Sequence, residues 1–69
     1  MKIKKLGAGY YNIIGFVETI NIVKMYHEDD KRVYWYIEID SCADDLLDSK
    51  KECVSCIDEL IKMNIIHII

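Results

Sequence analysis

Between Arg32 and Asp40 the chain alternates with a period of two: Val33, Trp35, Ile37 and Ile39 on one side, Arg32, Tyr34, Tyr36, Glu38 and Asp40 on the other. A helix would scatter both sets around its circumference, whereas a β-strand sends successive side chains to opposite faces, so the pattern calls for a half-buried strand. The first set is expected in the core. At 69 residues the chain has room for one core only, so a single domain spanning 1–69 is expected.

Two further runs, Tyr10 to Ile14 and Val17 to His27, are rich in the Ile, Val, Tyr and Thr side chains that suit a pleated surface, and both read as strands. Within the second, Ile20 and Ile22 share one face while Val23 and Met25 share the other, an irregularity that a β-bulge near Ile22 and Val23 would absorb. Gly7-Ala8-Gly9 and Gly15 mark turns. His27 to Lys31 is short and polar between two strand-like runs, the pattern of a hairpin with a loop of about four residues.

Ser41 to Asp48 reads as a connection with one short turn at Ala43 to Leu47, since its acids and serine favour local hydrogen bonds over a ladder. Ser49 followed by Glu52 is a capping box that opens a helix. Cys53, Cys56, Ile57, Leu60, Ile61 and Asn64 recur at three and four residues and form its apolar stripe, with Lys51, Ser55, Asp58, Glu59 and Lys62 outside. Asp58 and Lys62 stand in the favoured acid-first order, and Asn64 is the stop signal. Lys2, Lys4 and Lys5 read as a solvated N-terminal arm. The tail carries Ile65, Ile66, Ile68 and Ile69, which are costly to leave in water. It is expected as an edge strand, as a flap over the core, or as a template for pairing with a second copy. The expected fold is α+β: a three-stranded antiparallel sheet packed on one C-terminal amphipathic helix (β-β-β-α), with the tail as an extra edge strand.

Chemistry is sparsely signalled. Cys53-Val54-Ser55-Cys56 has the spacing of a zinc or redox pair, but it falls inside the apolar stripe with no second pair, so the cysteines read as small hydrophobes. Gly7-Ala8-Gly9 lacks the strand, third glycine and helix of a nucleotide fingerprint. Asp40, Asp44, Asp45 and Asp48 lack the glycine and terminal glutamate of a calcium loop. His27 and His67 have no neighbour at catalytic spacing. No enzyme, metal or cofactor is expected. An odd set of cysteines and the lack of a secretory pattern at the start fit a reduced cytoplasmic setting, and no apolar run approaches the roughly 18 residues of a membrane span.

A net charge of −3 opposes nonspecific nucleic-acid binding, which needs a basic face to displace counterions. The acids Glu28, Asp29 and Asp30, with Tyr34, Tyr36, Glu38 and Asp40 on the outer face of the third strand, instead suit a protein partner with a basic surface.

Three strands with an aromatic third one, Val33-Tyr34-Trp35-Tyr36-Ile37, then a helix opened by Ser49-Lys50-Lys51-Glu52, resemble the small β-β-β-α proteins of phages and integrative elements. One branch, the arm-type DNA-binding domain of tyrosine integrases, reads the major groove with basic strand residues. That likeness implies a DNA-binding regulator using Lys2, Lys4, Lys5 and Arg32, although Glu38 and Asp40 stand where such a face would be basic. The other branch, small acidic inhibitors including anti-CRISPR proteins, implies a non-enzymatic protein that docks on a host defence or nucleic-acid-handling protein. A structural homodimer joined through the isoleucine tail is the remaining expectation.

Overall fold

The computed structural model describes residues 2–43 and 46–69. Its elements are β1 (Lys2–Gly7), β2 (Tyr10–Ile14), β3 (Ile20–His27), β4 (Arg32–Ile39), β5 (Cys42–Ala43) and α1 (Lys50–Lys62). The strands form one antiparallel sheet in the order β1-β2-β3-β4-β5, each beside its chain neighbour, and α1 packs on one face against β3 and β4. The α+β class and the C-terminal helix agree with the sequence. The strand number does not: two edge strands were hidden.

The first hidden strand is the lysine segment, which is no loose arm. Lys2 to Lys5 pair with Ile14 to Tyr11, because Gly9 takes the left-handed φ of 70° that lets the chain reverse. All of β1 is exposed, so its lysines sit where charge protects an unpaired sheet edge. The second is β5, reached through Asp40 and Ser41, both at positive φ (48° and 70°), the twisted two-residue turn of a tight hairpin. Of the turn expected at Ala43 to Leu47, Ala43 belongs to β5 and Leu47 exchanges backbone hydrogen bonds with Trp35 at 2.8 and 2.6 Å; Asp44 and Asp45 lie outside the described residues.

No bulge occurs at Ile22 and Val23, where β3 runs in unbroken register with β2 and β4. The apolar residues there simply occupy both faces: Ile20 and Ile22 are buried under the helix, while Val23 lies half-buried on the other side. The irregularity falls instead in β1, between Lys5 and Gly7. Nor does the second strand begin at Val17, since Gly15 at φ 106° turns the chain and Phe16 drops into the core before Ile20 starts β3.

The core is Ile13, Phe16, Ile20, Ile22, Ile37, Cys53, Ile57 and Ile66, with Tyr11, Trp35, Ile39, Leu47 and the half-buried helix residues packed around it. Val33, expected inside, is exposed because its end of β4 runs past the helix. The helix starts as the capping box requires, with the Glu52 amide donating to Ser49 Oγ at 3.1 Å, but the Glu52 carboxylate accepts from the Asp48 amide one residue earlier than the motif expects. It stops at Asn64 (φ 57°), whose amide donates to the Ile61 carbonyl while that of Ile65 donates to Leu60, a Schellman closure. Lys62 reaches Glu59 at 4.0 Å, not the expected Asp58. The tail acts chiefly as a flap: Ile66 is buried, Ile68 bridges Phe16, and Ile65, Ile68 and Ile69 stay exposed.

Candidate functional site

Directly opposed residues of neighbouring strands share a face, so the register assigns every side chain to the helix side or to the open side of the sheet. Tyr34, Tyr36 and Glu38 fall on the open side, beside Met25, Val23 and Asn21 of β3. No element covers that side among the described residues. Both tyrosines are half-buried by their neighbours in the sheet, so they form part of a surface and do not stand free of it.

The lower end of this sheet is a projecting arm. β2 reaches β3 only as far as Val23, with one more bond from the Lys24 amide to the Gly9 carbonyl, and Leu47 meets β4 at Trp35. Beyond those points Met25 to Tyr34 continue as a two-stranded hairpin with no strand on either flank among the described residues. Tyr26 and Val33 are exposed on its helix side, and Met25 on the open side. Glu28, Asp29 and Asp30 occupy its tip, where the Lys31 amide donates to the Glu28 carbonyl at 3.3 Å and Lys31 takes a φ of 52°.

Of the acids, Asp30 is brought to Tyr34. The Tyr34 hydroxyl donates to Asp30 Oδ2 at 3.0 Å, and this bond to a carboxylate holds the phenol above its ordinary pKa. Arg32 stacks over the same ring at 5.3 Å and pairs with Asp48 at 3.4 Å, while the His27 ring meets Tyr34 edge-on at 6.1 Å. His27 Nδ1 is buried with no hydrogen bond, 3.7 Å from Asp30 Oδ2. Glu28 and Asp29 remain exposed. Glu38 joins a chain of side chains across the sheet: Asn12 Nδ2 donates to Asn21 Oδ1 at 2.9 Å and Asn21 Nδ2 to Glu38 Oε1 at 3.1 Å. Asp40 corrects the sequence reading, because it lies in the β4–β5 turn with its Oδ1 accepting the Thr19 amide at 2.9 Å and so has a structural task.

The Cys53 thiol is fully buried, which raises its pKa to about 11 and keeps it protonated, the opposite of what a nucleophile or metal ligand requires. Among the described residues no group of three His, Cys, Asp or Glu side chains is placed to hold a metal, and no helix is long and apolar enough to cross a membrane. A cavity of about 400 Å³ lies between the tail and the helix, lined by Ile14, Phe16, Ile61 and Ile68, far from the acidic arm.

Sequence reading missed one side-chain pair, since it joins residues 49 positions apart. Glu18 grips the tail with both oxygens, Oε1 to His67 Nδ1 at 2.6 Å and Oε2 accepting the His67 amide at 2.9 Å. The His67 side chain first, and then its amide, hold the Glu18 pKa below the carboxylate norm. A depressed carboxylate contributes stability that is present above its unfolded pKa and lost as pH falls through the folded value. Thermal melts across the acid range are therefore expected to show a shallower loss of stability for Glu18→Gln than for the parent chain; identical slopes would mean that the clasp contributes nothing.

Comparison with protein families, with curated proteins and with solved structures finds no match to this chain, so its chemistry has to be read from its own side chains.

Proposed function

We propose that this chain is a non-enzymatic protein-binding module whose acidic hairpin arm docks on a basic surface of its partner. The observation that carries this reading is the arm itself: β3 and β4 run on past β2, α1 and Leu47 and end in Glu28, Asp29 and Asp30. A sheet stabilised only for its own sake gains little from strands that leave Met25, Tyr26 and Val33 exposed. Those side chains offer apolar contact, Tyr34 adds an aromatic ring held by Asp30, and the acidic tip steers the approach of a cationic groove. Small size and net acidity suit an inhibitor that occupies a site made for nucleic acid, as in the phage and mobile-element inhibitors that the sequence resembles.

The DNA-binding alternative is less well supported. Lys2, Lys4 and Lys5 lie on the β1 edge, whereas Arg32 lies on β4, paired with Asp48 and separated from them by the width of the sheet. Glu38, which shares the cross-strand row of Lys4, would repel a phosphate backbone laid along that row.

The test is affinity capture from host-cell lysate, with and without nuclease, using the parent chain and the Glu28→Lys, Asp29→Lys double variant. These positions are exposed and carry no side-chain bond to the other described residues, and the variant leaves the Asp30 to Tyr34 hydrogen bond in place. A protein retained after nuclease treatment by the parent and lost by the variant is the expected result. Retention that disappears with nuclease, or that ignores the charge reversal, would sink the reading.

A further inference from the structure

We propose that the upper part of the open sheet face docks a second copy of this chain, about a two-fold axis that runs parallel to the strands between β2 and β3. The register carries the argument. One row across the open face reads Lys4, Asn12, Asn21, Glu38, each directly opposite the next. Turning a second copy over about that axis lays the row on its own reverse. Lys4 then faces Glu38 of the second copy, Asn12 faces its Asn21, and each pairing forms twice by symmetry.

The row below follows the same order across the strands. It holds Gly7, Tyr10, Val23 and Tyr36, with Gly7 set off from Lys5 by the irregularity in β1. The rotation sets Tyr36 over Gly7 and Tyr10 over Val23, a large side chain against a small one in both cases, as interdigitating sheet faces require. Gly7 has open space above it, since a Cβ built there meets nothing within 4 Å. Lys4 on β1 and Glu38 on β4 make this row charge-complementary to itself and not to a uniformly charged partner.

Because β1 and β2 end at Gly7 and Tyr10, neither strand of the second copy reaches over Met25 to Tyr34. Both acidic arms remain free. The dimer is therefore compatible with the proposed docking and makes it bivalent, which raises apparent affinity for a partner that presents two basic sites.

Sedimentation equilibrium over a concentration series of the full chain tests the proposal. A reversible dimer is expected, weakened about tenfold or more by Lys4→Glu and likewise by Glu38→Lys, and restored when both are combined, since the pair is then reversed instead of broken. Glu38→Gln keeps an acceptor for Asn21 while removing the charge, so it weakens association even where Glu38→Lys disturbs the fold, which circular dichroism monitors. A monomer at every concentration overturns the proposal. So does a dimer indifferent to all of these changes, in particular one lost with Ile68→Asp in the tail, or a double variant that fails to recover.

Discussion

Replacing Ile66 by alanine is expected to lower the stability of this protein by roughly 2–5 kcal/mol, the usual cost of emptying a buried isoleucine site. Ile66 is 1% exposed and joins Ile13, Phe16 and Ile57 in the core, although it comes from the tail after the helix. A chain of this length has a total stability on the order of 3–10 kcal/mol, so the loss would leave little reserve. The effect is also directional. Ile66 seats the strip whose backbone bonds Val17 to His67 at 2.8 Å and Ile69 to Gly15 at 3.0 Å, and whose histidine is held by Glu18. Urea titration should show a lower midpoint for Ile66→Ala, and amide exchange at Val17 should accelerate more than at core β3 amides. Ile68→Ala, at a 65% exposed position of the same strip, is the control and should stay within about 0.5 kcal/mol of the parent chain. Equal effects at the two positions would show that the tail is not seated through Ile66.

The residues that announced themselves in the sequence were those whose role is local. Alternation from Val33 to Ile39 placed β4, the Ser49 and Glu52 pair placed the start of the helix, and Asn64 placed its end, because each signal acts within a few residues. The hairpin from His27 to Arg32 was equally legible. What escaped depends on partners far along the chain. β1 carries lysines at strand spacing, which read as a solvated arm until Ile13 and Asn12 supply its ladder. The Glu18 and His67 clasp and the exchange of bonds between Trp35 and Leu47 have no local signature. Asp40 misled for a related reason: it continues the outward set of β4 in sequence, yet the strand has already turned. The candidate site divided along the same line. The acids of the tip and Tyr34 were readable as an outward group, but their separation from Tyr36 and Glu38 follows from where β2 and Leu47 end, and neither end is visible in β4 itself.

Gly9→Ala is expected to cost about 1–3 kcal/mol through backbone strain alone, because Gly9 holds φ at 70°, where a side chain is disfavoured. Sterics add to this. A Cβ at Gly9 would stand 2.7 Å from Lys24 Cβ, and that contact is fixed by the 2.7 Å hydrogen bond from the Lys24 amide to the Gly9 carbonyl. Relief would require the β1–β2 turn to move away from β3 at the point where the arm leaves the sheet. Gly7→Ala, two residues earlier and with open space above it, should leave stability unchanged or raise it by up to about 1 kcal/mol by restricting the unfolded chain. Chemical denaturation of the two variants side by side separates these cases. If both were neutral, the Gly9 to Lys24 approach would not be a fixed contact, and the arm would lose the support that sets its length. If Gly9→Ala alone is destabilised and the arm's amides exchange faster, one glycine carbonyl anchors the hairpin that the proposed docking uses. The segment Lys2 to Gly9 would then be the brace of that hairpin as well as the edge of the sheet.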